Sequence, residues 1–195
     1  MNRYQIVEYE AASPEVRAIY DDVKATLQTT KLPIWIKALG ASPTLLRGNW
    51  EKTKAVLVKG SVPHLLKELI IFYISTKRGS EYCSACHAHA ALQLDPSLTY
   101  ADLKSLANGQ AYGSMPESFK SAIVVAAKSA LSSSEVSDED FKLLEDAGFT
   151  PEEIGEILAQ ADLAVMFNTI TMTYRLPLDP EYVSMMQGSA AEPTA

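Results

Sequence analysis

Helical periodicity is the feature of this 195-residue sequence that most constrains its fold. Apolar residues recur three or four positions apart in one segment after another, as in Val16, Ile19 and Val23. No stretch of four to eight residues alternates between apolar and polar side chains in the manner of a half-buried β-strand. The sequence therefore predicts an all-α protein.

Capping residues mark where several of these helices begin. Ser13 precedes a proline, and a hydroxyl followed by proline is favoured at a helix start. Thr150 and Glu153 have the spacing of a capping box, again with a proline between them. We expect the helix that begins at Thr150 to continue to about Thr173.

Two adjacent predicted helices carry the residues of greatest chemical interest. The first begins near Val62, and Gly79 ends it. The second runs from about Tyr82 to Leu94, where an Asp-Pro pair stops it.

Length and charge narrow the class of protein. The length fits a single all-helical domain, which we place at residues 1–187, with residues 188–195 as a flexible tail. A net charge of -7 without a basic stripe argues against binding to nucleic acid or to anionic membranes. No apolar run is long enough to span a membrane, and the first residues lack a signal-peptide core, so we expect a cytoplasmic protein.

Residues 80–89 contain both cysteines and two of the three histidines of the chain. Cys83, Cys86 and His87 share one helix face and could bind zinc, but a distant fourth ligand is missing, and His89 points elsewhere. The same residues match the short c-type haem attachment pattern, which requires an oxidising compartment. Both cysteines could also be small core residues. We predict neither a metal nor a cofactor.

A redox-active dithiol is the remaining interpretation of this cluster. The amino terminus of a helix stabilises a thiolate and so lowers the pKa of Cys83. Cys86, one turn further along, could resolve a mixed disulfide or a sulfenic acid. The adjacent His87 could act as the base.

The segment 62–90 resembles the alkyl hydroperoxidase D / carboxymuconolactone decarboxylase family. Near the end of the chain, Phe167-Asn168 followed by Leu176-Pro177-Leu178-Asp179 resembles the close of the family's longer, peroxidase-related members. That family carries Leu-Pro-x-x-x-x-Glu-Leu-(Ile/Val)-Ile and, about a dozen residues later, Gly-Cys-x-Tyr-Cys-x-x-Ala-His. Without a gap, the resemblance places the family's glutamate at Glu68, its second cysteine at Cys83 after Tyr82, and its histidine at His87. It implies a helical bundle that self-associates into homo-oligomers.

One departure from the family pattern concerns the first cysteine, which falls on Ser80. Cys86 is an additional thiol where the family has a small residue. A rival alignment matches the two cysteine pairs to each other, but it leaves Ala90 where the histidine should be. The only dithiol available to this chain is therefore Cys83 with Cys86, which a regular helix would bridge only under strain.

Helix geometry predicts which of these residues meet. Glu68 lies about ten residues before the end of its helix, or roughly 15 Å along the axis. An antiparallel second helix would bring it level with His87, and His87 shares a face with Cys83 because they are four residues apart. We therefore expect a chain Glu68–His87–Cys83, direct or through water, with a solvated surface carboxylate as the alternative for Glu68.

The sequence also predicts positions or roles for three further residues. Ser80 is expected to cap the second helix, or else to hydrogen-bond a thiolate at Cys83. His89 faces away from His87 and is expected at a surface or an interface. His64, near a helix start, is expected to be structural.

The resemblance implies a thiol-dependent peroxidase-like oxidoreductase acting through Cys83. Its substrate would be a small hydroperoxide, and Cys86 or an external thiol or dithiol reductant would complete the cycle. The alternative is a carboxymuconolactone decarboxylase-type lyase, in which His87 and Glu68 act as acid and base on a small organic acid. A third hypothesis is a non-catalytic member that binds a ligand.

Overall fold

The computed structural model describes residues 3–179 and Tyr182, and no β-strand occurs among them. The all-α prediction is confirmed, whereas the predicted tail at 188–195 lies outside the described residues. The helices are α1 (Pro14–Leu27), α2 (Ile34–Ala38), α3 (Pro43–Thr53), α4 (His64–Arg78), α5 (Glu81–Leu94), α6 (Tyr100–Ala107), α7 (Glu117–Leu131), α8 (Asp138–Asp146) and α9 (Pro151–Tyr174).

The caps predicted at Ser13 and Thr150 form as the sequence indicates. The backbone N–H of Val16 donates to the Ser13 hydroxyl at 3.3 Å. At the start of α9, the Thr150 N–H donates to the Glu153 carboxylate at 2.8 Å and the Glu153 N–H donates back to the Thr150 hydroxyl at 3.3 Å. These bonds satisfy backbone donors that a helix leaves unpaired at its amino end.

Periodicity did not reveal two short elements. Helix α2 and the π-helical turn Lys54–Val58, which continues α3, have five residues each. Five residues are too few to show a helical repeat. Burial explains α2, because Trp35 and Ile36 anchor it in the core.

Helix α4 is the central element of the fold. It packs against α5, α7 and α9, and apolar side chains such as Leu66, Ile70 and Ile74 are fully buried along it. A helix that is apolar around most of its circumference belongs in the middle of a bundle. Within the described residues, no helix combines the length and apolar character needed to cross a bilayer.

Helices α4 and α5 form an antiparallel hairpin with a two-residue connection. Gly79 has φ of +73°, a left-handed conformation that costs glycine little and that ends α4. Its N–H donates to the carbonyl of Thr76 at 3.1 Å, and the next N–H, that of Ser80, donates to the carbonyl of Ser75 at 2.9 Å. This turn fixes how far residues of α4 lie from residues of α5.

A buried ion pair ties α4 to α9. The Lys67 side chain is 2 % exposed and lies against the Glu156 carboxylate, whose side chain is 12 % exposed. The Lys67 ammonium also donates to the carbonyl of Val56 at 3.0 Å, in the π-helical turn. Lys67 is therefore a structural cation, although it precedes Glu68 in the sequence.

We expect Lys67→Met to lower the free energy of unfolding by about 3 kcal/mol, because it leaves the Glu156 carboxylate buried without a cation. The matched control is Lys52→Met, which removes an ion pair with Asp162 whose side chains are 35 % and 69 % exposed. The control should cost less than about 1 kcal/mol. Urea unfolding followed by circular dichroism measures both, and equal losses would contradict a stabilising role for the buried pair.

Candidate active site

A buried carboxylate and a buried imidazole meet between α4 and α5. Oε2 of Glu68 lies 2.6 Å from Nδ1 of His87, and the two side chains are 5 % and 8 % exposed. The hairpin register brings Glu68 beside His87 in the way that the helix rise predicts. The pairing with His87 means that Glu68 is not a solvated surface carboxylate.

The negative charge of Glu68 is held by two histidines. Its second oxygen, Oε1, lies 3.1 Å from Nε2 of His64, one turn earlier in α4. Burial alone would raise the pKa of Glu68, but the charge of His87 and the hydrogen bonds from both histidines lower it to about 2. Glu68 is therefore ionised at any physiological pH, and His64, which we expected to be structural, contacts the site.

The orientation of His87 leaves one ring nitrogen for chemistry. Nδ1 faces the carboxylate and so carries a proton, as in other carboxylate–histidine pairs. The ring also stacks on Phe167 of α9, with centroids 5.9 Å apart and planes at 26°. Nε2 is then the atom that can accept or deliver a proton.

The Cys83 sulfur lies in a group of polar side chains from three elements. Its Sγ is 3.3 Å from Oγ1 of Thr171 in α9, and that hydroxyl is 3.2 Å from Oγ of Ser80. Nearby, the Asn168 amide donates to the Ser75 hydroxyl at 2.8 Å. Burial raises the pKa of the Cys83 thiol, while hydrogen bonds from these four side chains oppose the rise. The lowered pKa expected from the helix amino terminus is therefore wrong, because burial outweighs the effect of the helix.

The direction of the hydrogen bonds fits a neutral thiol at rest. The Thr171 hydroxyl donates to the carbonyl of Phe167 at 2.9 Å, so toward Cys83 it acts as an acceptor for the S–H. If the thiol ionises, the same hydroxyl can rotate and donate to the sulfur instead. Thr171 can therefore bond to either protonation state of Cys83.

Ser80 does not cap α5 with its side chain, contrary to our expectation. It occupies the N-cap position, with φ of -86° and ψ of 91°, but its hydroxyl makes no capping bond. The hydroxyl faces Thr171 because the side chain turns into the core, where it is 1 % exposed. The alternative prediction, a hydrogen bond that supports Cys83, agrees with this position.

Cys86 faces a different environment from Cys83. Its thiol donates to the hydroxyl of Tyr182 at 3.3 Å, and burial, more than the nearby Glu68 charge, raises its pKa to about 12. Tyr82 bonds through its hydroxyl to Asp179 at 2.7 Å. His89 is half-buried with its ring centroid 5.6 Å from that of Tyr182.

The predicted chain Glu68–His87–Cys83 has a direct hydrogen bond at its first link, whereas its second link stays a prediction of a bond through water. Within residues 3–179, no hydrogen bond joins Cys83 to His87, because Nδ1 of the imidazole turns toward α4 while the thiol turns toward α9. Both cysteines are free thiols. The part of the chain that the structure describes contains no group of three or more potential metal-binding side chains.

A cavity of about 340 Å³ opens at the amino end of α5. Ser80 and Thr171 form part of its wall, and Arg175 and Leu176 lie beside them. Because Thr171 also contacts the Cys83 sulfur, this cavity reaches to within one side chain of the thiol. A second cavity, of about 370 Å³, is lined by Ser84, Ala85 and Ala88 of α5, and neither cysteine is among the described residues that line the two cavities.

Sequence reasoning missed most of the residues around Cys83. Thr171 and Ser75 belong to helices whose apolar periodicity is visible, but their polar side chains belong to no motif. His64 is different, because it stands four residues before Glu68 on the same helix. That spacing is a signal that could have revealed the contact.

Comparison with solved structures identifies the fold. The chain superposes on an uncharacterized peroxidase-related protein with an alkylhydroperoxidase AhpD core from Ralstonia eutropha JMP134, with a TM-score of 0.81 and 21 % identity over 92 % of this chain and 93 % of that chain. A peroxidase-related protein from Silicibacter sp. TM1040 gives 0.75 and 21 % over 93 % and 94 % of the two chains. The chain thus has the AhpD-like all-α fold that the resemblance implied.

A third similar structure is an enzyme with a different chemistry. The debrominase Bmp8, as a cysteine-to-alanine variant in complex with 2,3,4-tribromopyrrole, gives a TM-score of 0.76 and 18 % identity over 96 % of this chain and 99 % of that chain. No protein-family model matches the sequence, and a search of curated proteins finds no match. An enzymatic role is consistent with these neighbours, and the reaction has to be argued from the site itself.

We expect alkylation of Cys83, measured with iodoacetamide in a Cys86→Ser background, to be slow at neutral pH and to accelerate above pH 9, because burial disfavours the thiolate. Thr171→Val should slow alkylation about tenfold further, since a hydroxyl donor to a charged sulfur is worth more than an acceptor for a weak S–H donor. Thr171→Ser, which keeps the hydroxyl, is the control. Fast alkylation at pH 7, or an unaffected Thr171→Val variant, would contradict this account.

Proposed function

We propose that the protein is a thiol-dependent oxidoreductase that reduces small hydroperoxides through Cys83. The observation that carries this proposal is the buried Glu68–His87 pair one helical turn from a buried thiol surrounded by hydrogen-bonding side chains. A thiol whose pKa is raised needs a base to become a nucleophile. A carboxylate-bound imidazole is a suitable base, because the negative charge stabilises the imidazolium that forms.

The first half of the proposed cycle oxidises Cys83. His87 takes the thiol proton through a water molecule or the bound hydroperoxide, since the two side chains are not hydrogen-bonded. The sulfur attacks the terminal peroxide oxygen, an S–O bond forms and the O–O bond breaks. His87 returns the proton to the leaving alkoxide, so one thiol and one hydroperoxide yield one sulfenic acid and one alcohol.

The second half of the cycle returns the sulfur to the thiol. A donor thiol attacks the sulfenic sulfur, forms a mixed disulfide and releases water; a second donor thiol then releases Cys83. Two electrons come from the two donor thiols, which leave as a disulfide. We assign this role to an external thiol or dithiol, because Cys86 faces Tyr182 and its pKa is raised to about 12.

A second candidate is acid–base chemistry without a thiol, as in a carboxymuconolactone decarboxylase-type lyase. The observation that favours it is that Glu68 and His87 form a complete proton-transfer pair on their own, while burial raises the pKa of both thiols. The debrominase among the structural neighbours also means that this fold is not restricted to peroxide reduction. The two candidates differ in whether activity depends on Cys83.

The test is consumption of cumene hydroperoxide with dithiothreitol as the reductant. Cys83→Ser should abolish turnover, because serine cannot form the sulfenic acid, whereas Cys86→Ser should retain most of it. In the wild type, dimedone added after one equivalent of peroxide should label Cys83, as mapped by peptide mass spectrometry.

The outcomes separate the two candidates. Turnover of a small lactone acid that persists in Cys83→Ser and is lost in His87→Gln would replace the peroxidase proposal by the lyase. Peroxide turnover that depends on Cys86 rather than Cys83 would show that our assignment of the reacting thiol to Cys83 is wrong. If the purified protein shows neither activity, the ligand-binding hypothesis is the one that survives.

We expect Ser80→Cys to give the chain an internal dithiol. Ser80 lies just outside α5, so a bridge from this position to Cys83 avoids the strain of two cysteines within a regular helix. Stoichiometric peroxide should then produce a disulfide between positions 80 and 83, detected by non-reducing peptide mapping, and turnover with dithiothreitol should rise. Ser84→Cys, which places the new thiol inside the helix, is the control; if it gives the same gain, the position outside the helix is irrelevant.

A further inference from the structure

We infer that His64 is a positioning residue of this site, which holds the second oxygen of Glu68 and links the charge on that carboxylate to the protonation of a solvent-facing imidazole. The inference rests on the proposed use of the Glu68–His87 pair as the base. His64 differs from its two partners in exposure: its side chain is 50 % exposed, whereas those of Glu68 and His87 are almost fully buried.

The geometry fixes the carboxylate at both oxygens. Nδ1 of His87, on α5, lies 2.6 Å from Oε2 of Glu68. Nε2 of His64, the first residue of α4, lies 3.1 Å from Oε1. Residues four apart on a helix face each other, so the His64–Glu68 contact is set by the backbone of α4 itself. Each oxygen of Glu68 therefore has a histidine partner, and the two contacts together restrict rotation of the carboxylate.

The electrostatics couple the two imidazoles through one charge. When His64 is neutral it donates its Nε2 proton to Glu68, and the full negative charge of the carboxylate stabilises a protonated His87. When His64 takes up a proton from solvent, it neutralises part of that charge, so His87 becomes a weaker base.

Few other groups interfere with this coupling. Among the described residues, Glu68 is the only charged side chain that bonds to His64. On the far side of the pair, α9 presents the uncharged ring of Phe167 to His87. The nearby thiol of Cys86 stays neutral because its pKa is raised to about 12. The carboxylate is therefore the route by which the charge on His64 reaches His87.

Two variants separate the hydrogen bond from the charge. His64→Gln keeps an amide donor near Oε1 but cannot become positively charged, and His64→Leu removes both. We expect the peroxide turnover of His64→Gln to fall more steeply than that of wild type between pH 8 and pH 5.5, by about threefold to tenfold, because without a positive charge at position 64 the carboxylate keeps His87 protonated and unable to accept the thiol proton. His64→Leu should lose activity at both pH values, because it leaves one oxygen of Glu68 without a donor.

A readout that does not need activity keeps this test separate from the proposed function. The His87 ring signals, followed by NMR across pH, should titrate at a higher pH in His64→Gln than in wild type. If wild type consumes no peroxide but this titration shifts, the proposed function fails and the role of His64 stands. If the titration and the shape of the pH profile are the same in wild type and His64→Gln, His64 is merely structural and the inference is overturned.

Discussion

The two-residue connection of Gly79 and Ser80 is the constraint on which the site depends. Gly79 ends α4 in a left-handed conformation, and α5 begins at once, so α5 has to return along the face of α4. This register sets Glu68 beside His87. It also turns Ser80 into the core against Thr171, beside the Cys83 sulfur. A longer connection would free the register, and the carboxylate–imidazole pair and the polar surroundings of the thiol would be lost together.

Burial makes the charges of the site mutually dependent. A carboxylate removed from water is costly unless it is paired and hydrogen-bonded, and Glu68 meets this condition with an imidazole on each oxygen. The negative charge of Glu68 disfavours a thiolate at Cys86, and this repulsion adds to the rise in the Cys86 pKa that burial causes. The resting site therefore keeps its sulfur atoms protonated and its carboxylate ionised. Under the proposed function, the Cys83 thiol therefore loses its proton only when the substrate reacts, and not in the resting protein.

Local rules explain which parts of this arrangement could be predicted from the sequence. Caps and periodicity fix where α4, α5 and α9 lie, and the rise per residue is enough to bring Glu68 level with His87. The polar group around Cys83 could not be predicted, because Thr171 lies 88 residues further along the chain and reaches the thiol only through the packing of α9 against the α4–α5 hairpin. No direct hydrogen bond joins His87 to Cys83 within residues 3–179, since each side chain turns toward a different neighbouring helix, so a link through water stays a prediction.

The fold alone does not determine which reaction the protein catalyses, so the reaction has to be inferred from the side chains of the site. Proteins with this fold at 18–21 % identity include peroxidase-related proteins and a debrominase. Relative to the motif that residues 62–90 resemble, this chain has an oxygen at Ser80 in place of a sulfur. Hydroxyls can stabilise a thiolate or a sulfenic acid by hydrogen bonds, but they cannot supply the electrons that return an oxidised sulfur to the thiol. Cys86, within the same regular helix, bridges to Cys83 only with strain. Under the proposed function, the serine at position 80 therefore means that a thiol from another molecule has to reduce the oxidised Cys83. The site must then recognise that donor thiol as well as the hydroperoxide.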